Sequence, residues 1–340
     1  MSEKAVNKKK VIMALLLALL ILLLALFATV YIYLQQKLSL INRPEPLPTI
    51  GPDDEFFETE PPDEEGEDNE DHEEMDPEEI RWPSDSELIR NKNIINILLI
   101  GQDRRPGEKR ARSDSMMIAT INKEKKTITL TSLMRDMYVQ IPGYSDNRIN
   151  AAYLFGGMEL LDKTIEKNFG VHIDGNIEVD FDGFKEVIDK IGGIDIPLNE
   201  KEAKHLKKQG FGDLEAGMVH MDGELALAYA RIRKVGNADY ERTERQRRVL
   251  TTVFNKVKDL PLSEILKLVD VIFPLVTTDM TNGQIIALAY TVYGIHADEI
   301  ATYRIPVDGG YKPAMIRKMA VLVPDLDKNR AALRKIIYGE

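Results

Sequence analysis

Hydrophobic and polar positions divide the chain into three unequal parts. Residues Val11–Leu34 form one apolar run of 24 residues with no charge in it. At about 1.5 Å rise per residue, a helix of that length exceeds the ~30 Å hydrocarbon core of a bilayer. The apolar region of a signal peptide runs about 7–15 residues and ends at a small-residue cleavage site. This run is longer, and no A-x-A follows it. It predicts an uncleaved transmembrane helix over 11–34, with Tyr31 and Tyr33 at the far headgroup level. Lys4, Lys8, Lys9 and Lys10 precede the run. The positive-inside rule then makes residues 1–10 a cytoplasmic tail and places everything after Leu34 outside the cytoplasm.

Over 35–80 the apolar period disappears. Pro44–Glu79 holds 18 Asp plus Glu, prolines at 44, 46, 48, 52, 61 and 62, and no Lys or Arg. Such a segment cannot bury enough apolar surface to fold, and its charges extend it. It predicts a disordered tether that would span at most about 130 Å.

Periodicity returns over 81–340. Asn93–Ile100, Ser115–Ile121 and Thr127–Leu133 read as strands, with a hairpin turn at Asn122–Lys126 between the last two. Ala151–Phe169 has helical spacing. A short strand at Asn176–Val179 and an amphipathic helix at Asp182–Ile191, stopped by Gly192-Gly193, follow. Asp222 is placed to cap a short helix over Gly223–Tyr229. Further helices are predicted at Glu241–Leu260, Ser263–Phe273, Asn282–Tyr293 and Asp325–Ile337, and a late strand at Tyr303–Pro306. Strands interleaved with helices predict an α/β domain, a sheet with helices packed around it.

Charge changes the picture once it is divided by segment. The chain carries a net charge of -11, but the acidity belongs to Pro44–Glu79. Residues 1–43 contribute +5, which leaves residues 80–340 near +2. A nearly neutral domain argues against nucleic acid as a partner. With no Cys there is no thiolate nucleophile and no Cys-ligated metal. No G-x-x-x-x-G-K-[ST] or G-x-G-x-x-G pattern is present, which argues against nucleotide binding of either kind. His72, His172, His205, His220 and His296 show no metal-ligand spacing.

The chemistry concentrates in two places. In Met221–Gln246, Arg231 and Arg233 are two apart and would leave one face of an extended segment. Arg242 and Arg245 are three apart, with Gln246 beside them, and would share one face of a helix. Four guanidiniums converge stably only around an anion. Arg suits phosphate because its planar fork donates two parallel hydrogen bonds. The plainer alternative is a solvated basic face neutralised by Glu241 and Glu244. The second place is a row of strand ends, where ligands of α/β sheets collect. Asp103 follows the first strand, Arg112 and Asp114 open the second, and Arg135 and Asp136 follow the third. Asp103 and Asp114 would be close if the first two strands pair antiparallel. Two carboxylates in one site suit a hard cation such as Mg²⁺, and arginines around them would take the charge of a diphosphate. The alternative is that both acids pair with Arg104, Arg105 and Arg112 in a loop.

These motifs resemble those of the LytR-CpsA-Psr proteins of bacterial cell envelopes. The resemblance is carried by NILLIGQDRR, RSDSMMIATIN, SLMRDMYVQIPGY, RINAAYLFGG, VDFDGFKEVIDKIGGIDI and MDGELALAYARIRK with DYERTERQ after it. Met134 stands where Pro is expected before Arg135-Asp136, and Arg247 where a second Gln is common. The resemblance implies a central mixed β-sheet flanked by helices, with an apolar lipid groove. It implies a membrane phosphotransferase that moves a glycopolymer from a polyprenyl-pyrophosphate carrier to peptidoglycan with help from Mg²⁺ or Mn²⁺. Asp103 and Asp114 would hold the metal, and Arg112, Arg135, Arg231, Arg233, Arg242, Arg245 and Gln246 would surround the pyrophosphate. Asp136 would orient Arg135 or act as a base. A polyprenyl-pyrophosphate hydrolase and a non-enzymatic envelope regulator are the alternatives. Two helix faces could line the groove: Phe181, Phe184, Val187, Ile188 and Ile191, and Val249, Leu250, Val253, Phe254 and Val257. Ordinary core packing is the competing reading of both.

Overall fold

The three apolar runs nearest the start of the domain become three adjacent strands, β1 (Ile94–Gln102), β2 (Ser113–Asn122) and β3 (Thr127–Leu133). The structure, a computed structural model, describes residues 25, 28–45, 73–84, 87–102, 111–236, 238–258, 260–295, 297 and 299–339. β1 pairs antiparallel with β2, and β2 with β3. The β2–β3 turn closes with Lys126 at φ 53°. β6 (Gly175–Asp180) joins β1 in parallel, and β10 (Ile300–Ile305) joins β3 in parallel. The two-residue β9 (Thr277–Thr278) closes the far edge against β6. The sheet order is β10-β3-β2-β1-β6-β9, a mixed sheet as expected. β1 is central and covered on both faces, which is why its sequence is continuously apolar rather than alternating.

Helices α1 (Ile149–Phe169) and α8 (Leu326–Ile337) cover one face, packing Phe155, Leu161 and Leu333 against Leu98, Ile100 and Ile118. Helices α5 (Ala238–Lys258) and α7 (Asn282–Gly294) cover the other, setting Leu250, Phe254, Ile285 and Leu288 against Ile97 and Leu130. A satellite core forms between α5, α2 (Phe181–Lys190), α4 (Gly223–Ala230) and the hairpin β7–β8 (Ile194–Leu198 and Gly217–Met221). The Asp222 cap falls where the sequence puts it, and Asp180 adds one the sequence reading did not name. Asp222 accepts from Leu225 N at 2.9 Å, and Asp180 from Gly183 N at 2.8 Å. Gly223 is needed for a different reason: a Cβ there would lie 2.2 Å from the Lys185 carbonyl oxygen. The backbones of α2 and α4 touch at this point.

Several elements have no counterpart in the sequence reading. They are β7–β8, helix α3 (Glu200–Lys208), the small pair β4–β5 (Tyr138–Val139 and Asn147–Arg148) and the hairpin β11–β12 (Tyr311–Ile316 and Met319–Pro324). Helix α6 (Leu262–Ile272) is close to its expected place.

The tether expected over 35–80 is bounded differently. A helix over 28–38 leads into residues that dock on the domain. Asn42 bridges Thr277, and Leu38 and Ile41 are buried. At the other end Met75 N donates to Met315 O and Met315 N to Glu73 O, both at 2.9 Å, and Asp76 caps the turn Pro77–Glu79. A few apolar contacts and main-chain bonds fix both flanks, so the domain begins before residue 81. The acid-rich stretch 46–72 lies outside the described residues. So does most of the run 11–34, and no helix among the described residues is long and apolar enough to cross a membrane.

A buried polar cluster ties α1, β6 and β9 together. Asn176 Nδ2 donates to Asp162 Oδ2 at 2.8 Å and to Asp279 Oδ2 at 2.7 Å. Burial, with Asp279 close by, pushes the Asp162 carboxyl up to about 8. The folded chain therefore holds a proton there that the unfolded chain releases near pH 4. Stability from this group is full below that pH and is lost as pH rises toward 8. The slope is on the order of 1.4 kcal/mol per pH unit. We expect Asp162→Asn to flatten the decline between pH 5 and 8 in urea unfolding. An unchanged profile would remove Asp162 as its source.

Candidate active site

The carboxyl ends of β1 and β6 open onto a cavity of about 460 Å³. Helix α5 runs along it and sorts its chemistry by position. Arg242, Gln246, Val249, Leu250 and Val253 all line it, on one stripe of the helix. Eleven residues of helix span about 16 Å. The first turns of α5 are thus polar and the next are apolar, within one continuous wall. Across from them, Phe181, Phe184, Val187 and Ile188 of α2 line the apolar end. Both helix faces offered by the sequence contribute to the cavity, although Ile191, Phe254 and Val257 are not among its lining residues.

Asp114, Ser115, Arg135, Arg231, Arg233, Arg242 and Gln246 form the polar end. Asp114 and Ser115 come from the start of β2. Arg135 Nη1 donates to Asp114 Oδ1 at 2.8 Å. On its other side Arg135 Nε lies 3.4 Å from Asp136 Oδ2, and Asp136 Oδ1 accepts from Arg148 Nη1 at 3.3 Å. Asp136 does not line the cavity. Its geometry supports the orienting role rather than that of a base. The Ser115 hydroxyl donates to Gln246 Oε1 at 3.1 Å, so the amide NH₂ is what Gln246 can offer an anion. Arg148 was not singled out from the sequence. Its only local signal is its place in the RINAAY motif at the head of α1.

Arg231 and Arg233 reach the cavity by a route other than the extended segment expected. Arg231 is the C-cap of α4, and Arg233 lies in the loop after it. The Arg231 guanidinium stacks 4.6 Å from the centre of the Phe181 ring, which fixes a charged group at the border of the apolar end.

Arg245 is not where the resemblance would put it. It does not line the cavity and is 1% exposed. At about 100° per residue it is turned about 80° from the middle of the cavity stripe of α5. Its Nε donates to Glu202 Oε1 at 2.8 Å, Nη1 to Ile232 O at 2.8 Å, and Nη2 to Val235 O at 2.9 Å and Glu241 Oε2 at 2.7 Å. Glu202 comes from α3, where it also closes a capping box with Asn199. Arg245 therefore staples the loop 231–236 that carries Arg231 and Arg233. Gly236, at φ 78°, belongs to the same device: a Cβ there would meet the Glu241 carboxylate.

Arg112 lies just before β2 and is not among the cavity-lining residues. Arg247 points away from the cavity to Ser132 Oγ, 2.9 Å away, and burial pushes its guanidinium down to about 10. Asp103 lies outside the described residues. The antiparallel pairing on which its closeness to Asp114 depends is present as far as Gln102 opposite Ser113.

Among the described residues no three His, Cys, Asp or Glu side chains form a ready metal cage, and Asp114 is the one carboxylate lining the cavity. Mg²⁺ is commonly held by one or two carboxylates plus substrate phosphates. The donor set therefore fits an ion that arrives with a diphosphate.

Guanidiniums at one end and a channel of aliphatic and aromatic side chains at the other suit an anion that carries an apolar tail. The LytR_cpsA_psr family model matches residues 60–335, and the chain belongs to this family. The regulatory protein MsrR of Staphylococcus aureus is 31% identical over 231 residues, 66% of this chain and 68% of that protein. The polyisoprenyl-teichoic acid–peptidoglycan teichoic acid transferase TagU of Bacillus mycoides is 38% identical over 174 residues, 49% of this chain and 54% of that one. The structure of TagT bound to LI-WTA superposes with a TM-score of 0.60 at 25% identity, covering 73% of this chain and 92% of that one.

Proposed function

We propose that this chain transfers a glycopolymer, a teichoic acid, capsule or similar wall polymer, from a polyprenyl-pyrophosphate carrier to peptidoglycan. The observation that carries the reading is a cavity whose wall changes from arginine to apolar along α5. The lipid tail lies between α2 and α5, and its diphosphate meets Arg135, Arg231, Arg233, Arg242 and Gln246. A peptidoglycan hydroxyl attacks the phosphorus that bears the glycan. The bond between the two phosphates breaks, and polyprenyl phosphate leaves with the electron pair. The hydroxyl proton passes to water, and a phosphodiester joins glycan to wall. Positioning and charge stabilisation are most of what phosphoryl transfer asks of a protein. Asp114 with Asp103 would hold Mg²⁺, or Mn²⁺ in its place, which would draw charge from the diphosphate oxygens. Arg135 keeps Asp114 in place, and Asp136 with Arg148 keeps Arg135 in place. The run 11–34 would anchor the chain in the bacterial cell membrane, with the domain on the outer side.

The full-length chain, incubated with a short-chain polyprenyl-pyrophosphate glycan, Mg²⁺ and a peptidoglycan oligomer, is expected to yield a phosphodiester-linked conjugate by mass spectrometry. Release of phosphate products with no conjugate, across several acceptors, would instead favour a hydrolase.

A further inference from the structure

The apolar run that would anchor the chain ends at Leu34, and the next residue touches the domain. Gln35 Oε1 accepts from Asn282 Nδ2 at 2.8 Å. Lys37 pairs with Asp270 on α6. Asn42 Nδ2 donates to Pro274 O at 2.6 Å. Arg43 donates to the carbonyl oxygens of Thr278, at 3.2 Å, and of Met280, and to Asn282 Oδ1 at 2.6 Å. Residues 35–43 are thus clasped to α6, β9 and the head of α7. Chain that lies one residue from a bilayer cannot hold a clasped domain far from it.

The helices beside this clasp are unusually apolar on their open sides. From Asn282, the i+4, i+8 and i+11 positions of α7 are Ile286, Tyr290 and Tyr293, with 39%, 80% and 65% of their surfaces exposed. They form one stripe that starts at the residue touching Gln35. On α6, Leu266 is exposed one turn before Asp270, the partner of Lys37. Exposed tyrosines with aliphatic neighbours are the chemistry of a headgroup-level belt. The inner sides of the same helices pack on α5 residues that line the cavity. Leu250 lines it and packs in one cluster with Ile285 and Leu288 of α7. Val253 lines it and packs in another with Leu268 of α6.

We propose that α6, α7 and the helix over 28–38 form one face that rests on the lipid bilayer, locked there by the 35–43 clasp. The apolar end of the cavity then faces the membrane through the α6–α7 layer. This rests on the reading of 11–34 as the membrane anchor. It replaces a domain on a long tether with one held at fixed height and orientation, and makes the acid-rich stretch 46–72 a connection between two docked flanks.

The test uses the full-length chain in phosphatidylcholine vesicles with brominated acyl chains. Tyr290→Trp reports on the proposed face. Tyr303→Trp reports on β10, two residues before Ile305 and so on the sheet face that α1 and α8 cover, opposite the face covered by α7. The signal of the one native tryptophan, Trp82, is subtracted. Quenching several-fold stronger at 290 than at 303, and reduced by Arg43→Ala, is the expected result. Equal quenching at the two sites, or none at 290 in a chain that still floats with vesicles, overturns the face and leaves the anchor standing. Quenching at 290 that ignores Arg43→Ala overturns the clasp. A chain that does not float overturns both the anchor and the face.

Discussion

Arg245→Ala is expected to lower the free energy of unfolding by about 3–5 kcal/mol, the cost of stranding one partner of a buried ion pair. Both Arg245 and Glu202 are almost fully enclosed. Removing the guanidinium leaves the Glu202 carboxylate without its 2.8 Å partner and the carbonyls of Ile232 and Val235 without their donor. Urea unfolding reads the loss directly. Arg245→Lys recovers little, because one ammonium cannot reach four acceptors held in a fork geometry. The paired change Arg245→Met with Glu202→Leu recovers part of the loss, since apolar groups of similar size can replace a buried pair. The remainder belongs to the loop 231–236. If Arg245→Ala instead kept full stability and lost only lipid-phosphate binding, the staple would be wrong and the arginine would belong with the cavity.

Asp114→Asn is expected to do the reverse. The side chain is 26% exposed, and Arg135 keeps Asp136 as a second partner, so the unfolding midpoint should hardly move. Transfer should fall by ~10²–10³, the usual cost of one lost electrostatic contact at a charged transition state. The concentration of Mg²⁺ needed for half-maximal rate should rise as well. Near-normal turnover would take both the metal and the carboxylate out of the mechanism.

These two residues show what was legible in the chain and what was not. Asp114, Arg135, Arg231, Arg233, Arg242 and Gln246 are brought together as their motifs suggested. Strand ends and helix starts are local features, and apolar period locates them. Arg245 is three residues from Arg242, and that spacing cannot tell a shared face from a neighbouring one. Its true partner sits on α3, whose sequence EKEAKHLKK has only Ala203 and Leu206 to mark a buried side. The mixed sheet was readable because β1, β2 and β3 are long and apolar. The β11–β12 hairpin, with Pro313 in mid-strand, was not. Least visible was the docking of 35–43. It depends on Arg43 reaching carbonyls more than 230 residues away, and no local pattern announces that.

The graded wall of α5 has a consequence for the end of the reaction. A diphosphate diester carries two charges, and a lipid monophosphate carries about 1.5 to 2 near pH 7. The four cavity arginines therefore have little basis for telling the spent carrier from the loaded one. The tail between α2 and α5 is the same in both. What departs with the wall is the sugar and the one phosphate that bears it, while the second phosphate and the tail keep their contacts. Such a protein would be inhibited by its own lipid product, and draining of that lipid, rather than bond breaking, would set its steady pace.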